Sequence, residues 1–205
     1  MERKKERTKN KKPISIELKE FRIRTVSIDI TSKSPLIVHA FSEKSRKMIE
    51  DKQQGKSKNA KHKIRVPEED YEQAKHVSPL GWEGFPTAGF KAAMIRGAKM
   101  IGLVMKDMQT NIFIKADCEK TQLTKINGES RMRTDMVRIG QGSADVRYRP
   151  EYPEWNTTLV IEYNEGMVSV EQIYQMVYAA GYGVGIGEMR PERTKFGFGR
   201  FEIVK

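Results

Sequence analysis

The sequence predicts an α+β fold on three observations. Apolar residues alternate with a period of two over residues 21 to 39 and again over 157 to 163, as in half-buried strands. Two other stretches, beginning at Thr87 and Ser169, repeat their apolar residues with a helical period. The order is strand, helix, strand or hairpin, then strand, helix, strand. That is the βαββαβ pattern of ferredoxin-like (RRM-like) cores, with an insertion after the first strand and an elaborated middle.

The elements follow in turn. Residues 1–13, ending at Pro13, read as a flexible basic arm, and 14–205 as one domain with insertions at about 44–78 and 128–153. Phe21 to His39 forms the first core strand, bent at Ser34-Pro35. Between Lys44 and Val77 the apolar residues thin out, and 53–62 reads as a loop between short helical pieces. Thr87 can cap a helix with Phe90, Met94, Gly97, Ala98 and Ile101 on one face. Asn111 to Lys115 alternates as a strand, and Gln122 to Ile126, followed by Asn127-Gly128, reads as one arm of a hairpin. Thr157 to Tyr163 is a clear strand by composition. Ser169 and Gln172 form a capping box for a helix whose face is Val170, Ile173, Val177 and Ala180. Gly181 reads as the C-cap, and Phe198 to Val204 as the last strand.

Charge narrows the class of partner. The 205 residues carry a net charge of +11, which favours an anionic ligand such as nucleic acid. Seven Lys/Arg against two Asp/Glu lie within Met1 to Lys12, and ten against six within Lys44 to His76. A solvated charge run explains both stretches equally well, so a binding face on the core must come from local clustering. The single cysteine, Cys118, cannot form an intramolecular disulfide. No apolar run approaches a membrane span or a signal-peptide core, so the expected location is cytoplasmic, with no membrane partner.

The segment from Gly181 to Gly199 holds the densest functional signal. Its glycines permit close backbone approach to a ligand, and Arg190, Arg193 and Lys195 suit phosphates. A dinucleotide fingerprint follows a strand and opens a helix; these glycines follow a helix and precede a strand, so that reading fails. The competing reading is a tight helix-to-strand connection that needs glycine for packing. Upstream, Arg131, Arg133, Arg138, Arg147 and Arg149 are interleaved with Tyr148 and followed by Tyr152 and Trp155. Such mixtures follow a phosphate backbone and stack bases. The alternative is a hairpin whose arginines make surface ion pairs. No cluster has metal-ligand spacing, and no cofactor motif is present.

Helix, Gly-Val-Gly-Ile-Gly (183 to 187), a short basic linker and Phe-Gly-Phe-Gly-Arg-Phe (196 to 201) before the last strand resembles the C-terminal G-loop of the RAMP superfamily of CRISPR-associated RNA-binding proteins. Glu83 to Arg96 is similar to the approach to the first helix in the backbone-forming RAMP subunits, with Pro86, Lys91 and Arg96 in corresponding roles; Thr87-Ala88-Gly89 replaces the usual Gly-Ser-Ser. Ser34 to Val38 resembles the end of their first strand. The resemblance implies single-stranded guide RNA bound across the sheet and helix start, with homo-oligomer stacking along the RNA, other effector subunits as further partners, and antiviral defense as the setting. It implies RNA contact by Lys91, Arg96, the five hairpin arginines, Gly185, Gly187, Arg190, Arg193 and Lys195, with residues 128–153 as a thumb tipped by Met132, Met136 and Ile139. The expected role is binding, with no catalytic residue. The alternatives are a metal-independent RNA-processing endoribonuclease using His39 as general base, and a single-stranded DNA-binding or annealing protein of a mobile element.

Overall fold

The computed structural model describes residues 21–41, 43–55, 65–139 and 142–204. The basic arm at 1–13 and most of the 53–62 loop lie outside the described residues. The fold is α+β with antiparallel sheets. Strands β1 (Ile23–Ser32) and β2 (Leu36–Ile37) are followed by helices α1 (Glu43–Gln53) and α2 (Pro67–Gln73). Next come β3 (Gly84–Pro86), α3 (Thr87–Met100), α4 (Met105–Asn111), β4 (Ile112–Lys115) and β5 (Leu123–Lys125). The chain ends with β6 (Arg131–Ile139), β7 (Ser143–Tyr152), β8 (Asn156–Asn164), α5 (Val170–Ala179), a π-helical turn (Ala180–Val184) and β9 (Phe201–Ile203).

The central sheet has strand order β4-β8-β1-β9, all neighbours antiparallel. Both helical crossovers therefore skip a strand: β1 reaches β4 through α3 past β8, and β8 reaches β9 through α5 past β1. Ile28 and Ile30 of β1 and Leu159 and Ile161 of β8 face the helices. Against them lie Phe90, Met94 and Ala98 of α3 and Ile173, Met176 and Val177 of α5. Each large side chain of this set stabilises the fold by about 1.5–3 kcal/mol through burial. Gly97 lets the two helices touch, because a Cβ there would stand 2.8 Å from the Met176 carbonyl oxygen and the Ala180 nitrogen. The opposite face of the sheet carries Phe113 and Val160 among polar residues, and its charges are locally neutralised: Lys115 pairs with Glu162 at 3.3 Å and Lys33 with Glu202 at 2.9 Å.

The expected long first strand is divided between two sheets. β1 pairs with β8 up to Thr31↔Asn156, and β2 pairs with β7 from Leu36↔Tyr152, so four residues on one side, 32–35, face three on the other, 153–155. The extra residue bends the ladder as a bulge does and turns β7 into a second sheet of order β2-β7-β6. Buried Trp155 holds the bend, its indole donating to the Ser34 carbonyl at 3.2 Å and its ring lying edge-on to Phe201.

Several local expectations shift. Thr87 opens α3 without capping it; its hydroxyl pairs with that of buried Thr124 at 3.0 Å. β5 pairs with β3, not with the segment beyond Asn127-Gly128, because the turn hands the chain on to an isolated bridge with Asn156. Ser169 and Gln172 make the capping box. Gly181 does not end that helix. The backbone continues as the π turn, whose end is Gly185 at φ 71°. The segment before β3 is docked on the core: Glu83 accepts from Tyr152 Oη at 2.5 Å and Ser130 Oγ at 3.0 Å, and pairs with Lys75 at 3.1 Å. Those donors hold the Glu83 carboxyl below its ordinary range despite partial burial, and burial, with the same carboxylate second, pushes the Tyr152 phenol up.

The loop glycines separate packing from freedom. Gly187 (φ 74°) and Gly199 (φ 68°) each leave no room for a Cβ, against the Ile37 and Ile186 carbonyl oxygens respectively. Gly197 meets only Arg200 Cδ, at 3.9 Å. Gly199→Ala is expected to cost about 2 kcal/mol or more, and Gly197→Ala to stay within about 0.5 kcal/mol of the parent, measured by urea unfolding.

Candidate nucleic-acid interface

Alternation along β6 and β7 sorts the hairpin into two unlike faces. Arg131, Arg133 and Asp135 lie on one face opposite Glu151, Arg149 and Arg147 in that order. Met132, Thr134 and Met136 lie on the other, opposite Pro150, Tyr148 and Val146. The charged face is the inner one at its centre: Arg149 is 2% exposed, Glu151 4% and Asp135 7%.

Two like charges, Arg133 and Arg149, stand directly across from each other, an arrangement that costs stability unless carboxylates intervene. They do. Arg133 donates to Asp135 and to Glu151, each at 2.9 Å, and Arg131 donates to Glu151 at 2.7 Å. These donors hold the Glu151 carboxyl below its ordinary range although burial opposes them. Arg149 lies 3.6 Å from Asp135, and its Nε and the facing Asp135 Oδ2 have no hydrogen-bond partner. Burial lowers the Arg149 pKa, with Glu188 and Asp135 opposing that shift. Arg147 keeps a long contact of 3.6 Å to Asp145 with a third of its side chain exposed. Arg138 is exposed and pairs with no described residue.

The glycine segment closes over this face. The guanidinium of Arg133 sits 4.9 Å from the Phe198 ring centroid. The Glu188 amide donates to the Ile37 carbonyl at 2.8 Å, and the Gly199 amide to Pro35 at 2.7 Å, so the loop is sewn to β2 and to the bend before it. On its other side Glu192 accepts from Arg96 of α3, with Nε 2.8 Å away, and from Arg190 at 3.3 Å. Arg190 also donates to the Gly187 carbonyl at 2.9 Å. Gly185, Ile186, Glu188, Glu192, Arg193, Thr194 and Gly199 all direct their amides to protein acceptors. Among the described residues, the amides of Gly187, Met189, Arg190, Lys195, Gly197 and Phe198 meet no acceptor, and Met189 holds a left-handed φ of 53°, a strained conformation for a side-chain-bearing residue.

The structure thus sorts the cations chosen from sequence into two groups. Arg96, Arg131, Arg133 and Arg190 are held by carboxylates, Arg149 is buried, and Lys91 caps the Phe113 ring with its ammonium 4.1 Å from the centroid. Arg138, Arg147, Arg193 and Lys195 remain available to solvent. Phe196, 57% exposed, lies between Arg193 and Phe198 in the chain. Gly185 and Gly187 shape the loop through φ values of 71° and 74°. The sequence did not single out Phe196 and Phe198 among the candidate contact residues, although their Phe-Gly-Phe spacing marks the segment that meets Arg133.

His39 follows β2. Continuing the β2–β7 register places it opposite Arg149, and the Val38 amide bond to the Pro150 carbonyl, 3.1 Å, fits that register. Its ring stays accessible while partial desolvation, then Arg149 and Arg147, lower its pKa; Glu188 and Asp145 pull the other way. Desolvation and His39 lower that of His76. With both histidines lowered in the fold, the unfolded chain binds more protons, so stability falls as pH drops through the region below about 6.5. Thermal unfolding midpoints are expected to fall between about pH 7 and pH 5, and a His39→Gln/His76→Gln variant to flatten that slope.

Among described residues, no helix is long and apolar enough to cross a membrane. No protein-family model matches the sequence, and no curated protein matches it. Among solved structures, Cmr6 from Pyrococcus furiosus is similar in outline, with a TM-score of 0.43 at 11% identity, covering 89% of this chain and 98% of that one.

Proposed function

We propose that the chain binds single-stranded RNA in the cleft between the β6–β7 hairpin and the glycine loop, on a ferredoxin-like core. Support for the core is the β4-β8-β1-β9 order with two strand-skipping helical crossovers. The observation that carries the binding site is the division of labour in the loop. Ion pairs and a carbonyl contact tie Arg96, Arg190 and Glu192 together, and what remains of the loop is Arg193, Lys195, Phe196 and the amides that meet no acceptor among the described residues. Phosphates suit the amides and cations, while bases suit the phenylalanine. The open face of the sheet, whose Lys115 and Lys33 are matched by Glu162 and Glu202, offers fewer free cations than this cleft.

In the larger reading, the chain is a repeating backbone subunit of a CRISPR-type guide-RNA complex, with copies stacking along one strand. The motif resemblances at residues 21–40, 83–100 and 155–204 support it, in the order in which they occur. Sequencing of nucleic acid that co-purifies from the native host tests it: short RNAs of uniform length are expected, and their absence sinks the assignment.

Arg193→Ala with Lys195→Ala is expected to weaken RNA binding, to leave stability within about 0.5 kcal/mol, and to lower the slope of log affinity against log salt by about 2. Arg190→Ala is expected to act differently, costing about 1–2 kcal/mol of stability because the Gly187 carbonyl and Glu192 lose a donor. Fluorescence anisotropy across a salt series and urea unfolding separate the two; a parallel DNA strand of the same sequence tests the preference for the 2′-hydroxyl.

A second reading, a metal-independent endoribonuclease, is favoured by the accessible His39 ring, whose lowered pKa keeps it neutral at pH 7 as a general base requires. It predicts cleavage of a hairpin RNA in chelator, abolished by His39→Ala, and persistence of cleavage in that variant would rule it out.

A further inference from the structure

Tyr174, Tyr178 and Tyr182 recur every four residues on the side of α5 and its π turn that faces away from the core, and they are 41%, 62% and 63% exposed. Ile173, Met176, Val177 and Ala180, interspersed with them, supply the buried contacts, so core packing does not account for the tyrosines. Tyr182 lies in the π turn, and such turns gather at functional sites. Its carbonyl accepts from Arg200 Nε at 3.1 Å, and the same guanidinium sits 5.2 Å from the Tyr182 ring centroid. Arg200 has no carboxylate partner among the described residues, so its charge is left for an anion from outside.

Spacing and continuity point to the same occupant. Four helical residues advance about 6 Å. A strand whose bases alternate with rings in one stack repeats every two steps of about 3.4 Å, close to that advance. Tyr182, the last of the three, is linked to the loop through Arg200. Gly197 lies beside Arg200, and Phe196 and Phe198, its neighbours in the chain, have ring centroids 6.3 Å apart, with Phe198 beneath Arg133.

We propose that the outer face of α5 is a second base-stacking platform, which takes up the single-stranded RNA as it leaves the hairpin–loop cleft. This rests on the RNA-binding reading above. Arg200 would hold a phosphate at the junction, and the tyrosine rings would stack bases without regard to sequence. A protein partner is the competing occupant, since Met100, 53% exposed, lies against Gly183. The unpaired guanidinium over Tyr182 favours the polyanion, because an apolar protein surface would bury that charge uncompensated.

The test uses the full chain with a short labelled oligouridylate that fills only the cleft and a longer one that reaches α5. Tyr178→Leu with Tyr182→Leu is expected to weaken the longer strand by about fivefold or more per tyrosine and to leave the short strand unchanged. Tyr178→Phe with Tyr182→Phe is expected to retain the affinity, since phenylalanine keeps the ring. Equal affinity of the leucine variant and the parent for the longer strand overturns the proposal. So does a leucine variant that binds RNA normally but loses a self-association seen for the parent in sedimentation, which assigns the face to protein. Failure of the parent to bind either strand sinks the RNA reading itself, and the platform with it.

Discussion

The seat of the glycine loop on the bend between the two sheets is the constraint on which the rest depends. The central β1–β8 ladder gains one residue at 32–35 and leaves its sheet, which exposes the backbone of Pro35 and Ile37 to a neighbour. The loop fills that place. Gly187 and Gly199 have no room for side chains, and the Glu188 and Gly199 amides satisfy the two carbonyls. The long hairpin is held at its angle by the same seat, because Phe198 of the loop meets Arg133 on its inner face.

Electrostatics at this junction are chiefly structural. Four arginines line the inner hairpin face, and Asp135, Asp145 and Glu151 answer them, leaving Arg149 buried with an unpartnered Nε. Removing one carboxylate from such a network leaves uncompensated buried charge, a larger loss than any exposed pair supplies. Of the cations left over, Arg193 and Lys195 belong to the glycine loop and Arg147 to the inner hairpin face, whereas Arg138 falls on the outer face with Met132 and Met136.

The main elements of the fold were legible where a single local rule governs. Ser169 and Gln172 announce α5, alternation marks β8, and the helical face of α3 follows from Phe90, Met94 and Ala98. The departures are places where distant partners decide. Thr87 serves Thr124 in place of a cap, β5 finds β3 across intervening α3, α4 and β4, and Gly181 continues into a π turn that lies close against Phe201. The same holds at the candidate site. The arginine-rich stretch and glycine loop were visible as composition, whereas the identity of the free cations was not, since Glu192 reaches Arg96 across 96 positions of chain.

By itself the sequence determined the alternation of strands and helices, the basic balance, and the glycines that make a close backbone approach possible, because each depends on residue type and near neighbours. Only the tertiary structure decided which glycines are spent on packing, which arginines are neutralised, and that Arg200 links Tyr182 of the π turn to the loop beside Gly197. Those outcomes depend on the one-residue offset between two ladders and on carboxylates brought in from remote segments, and no local pattern encodes either.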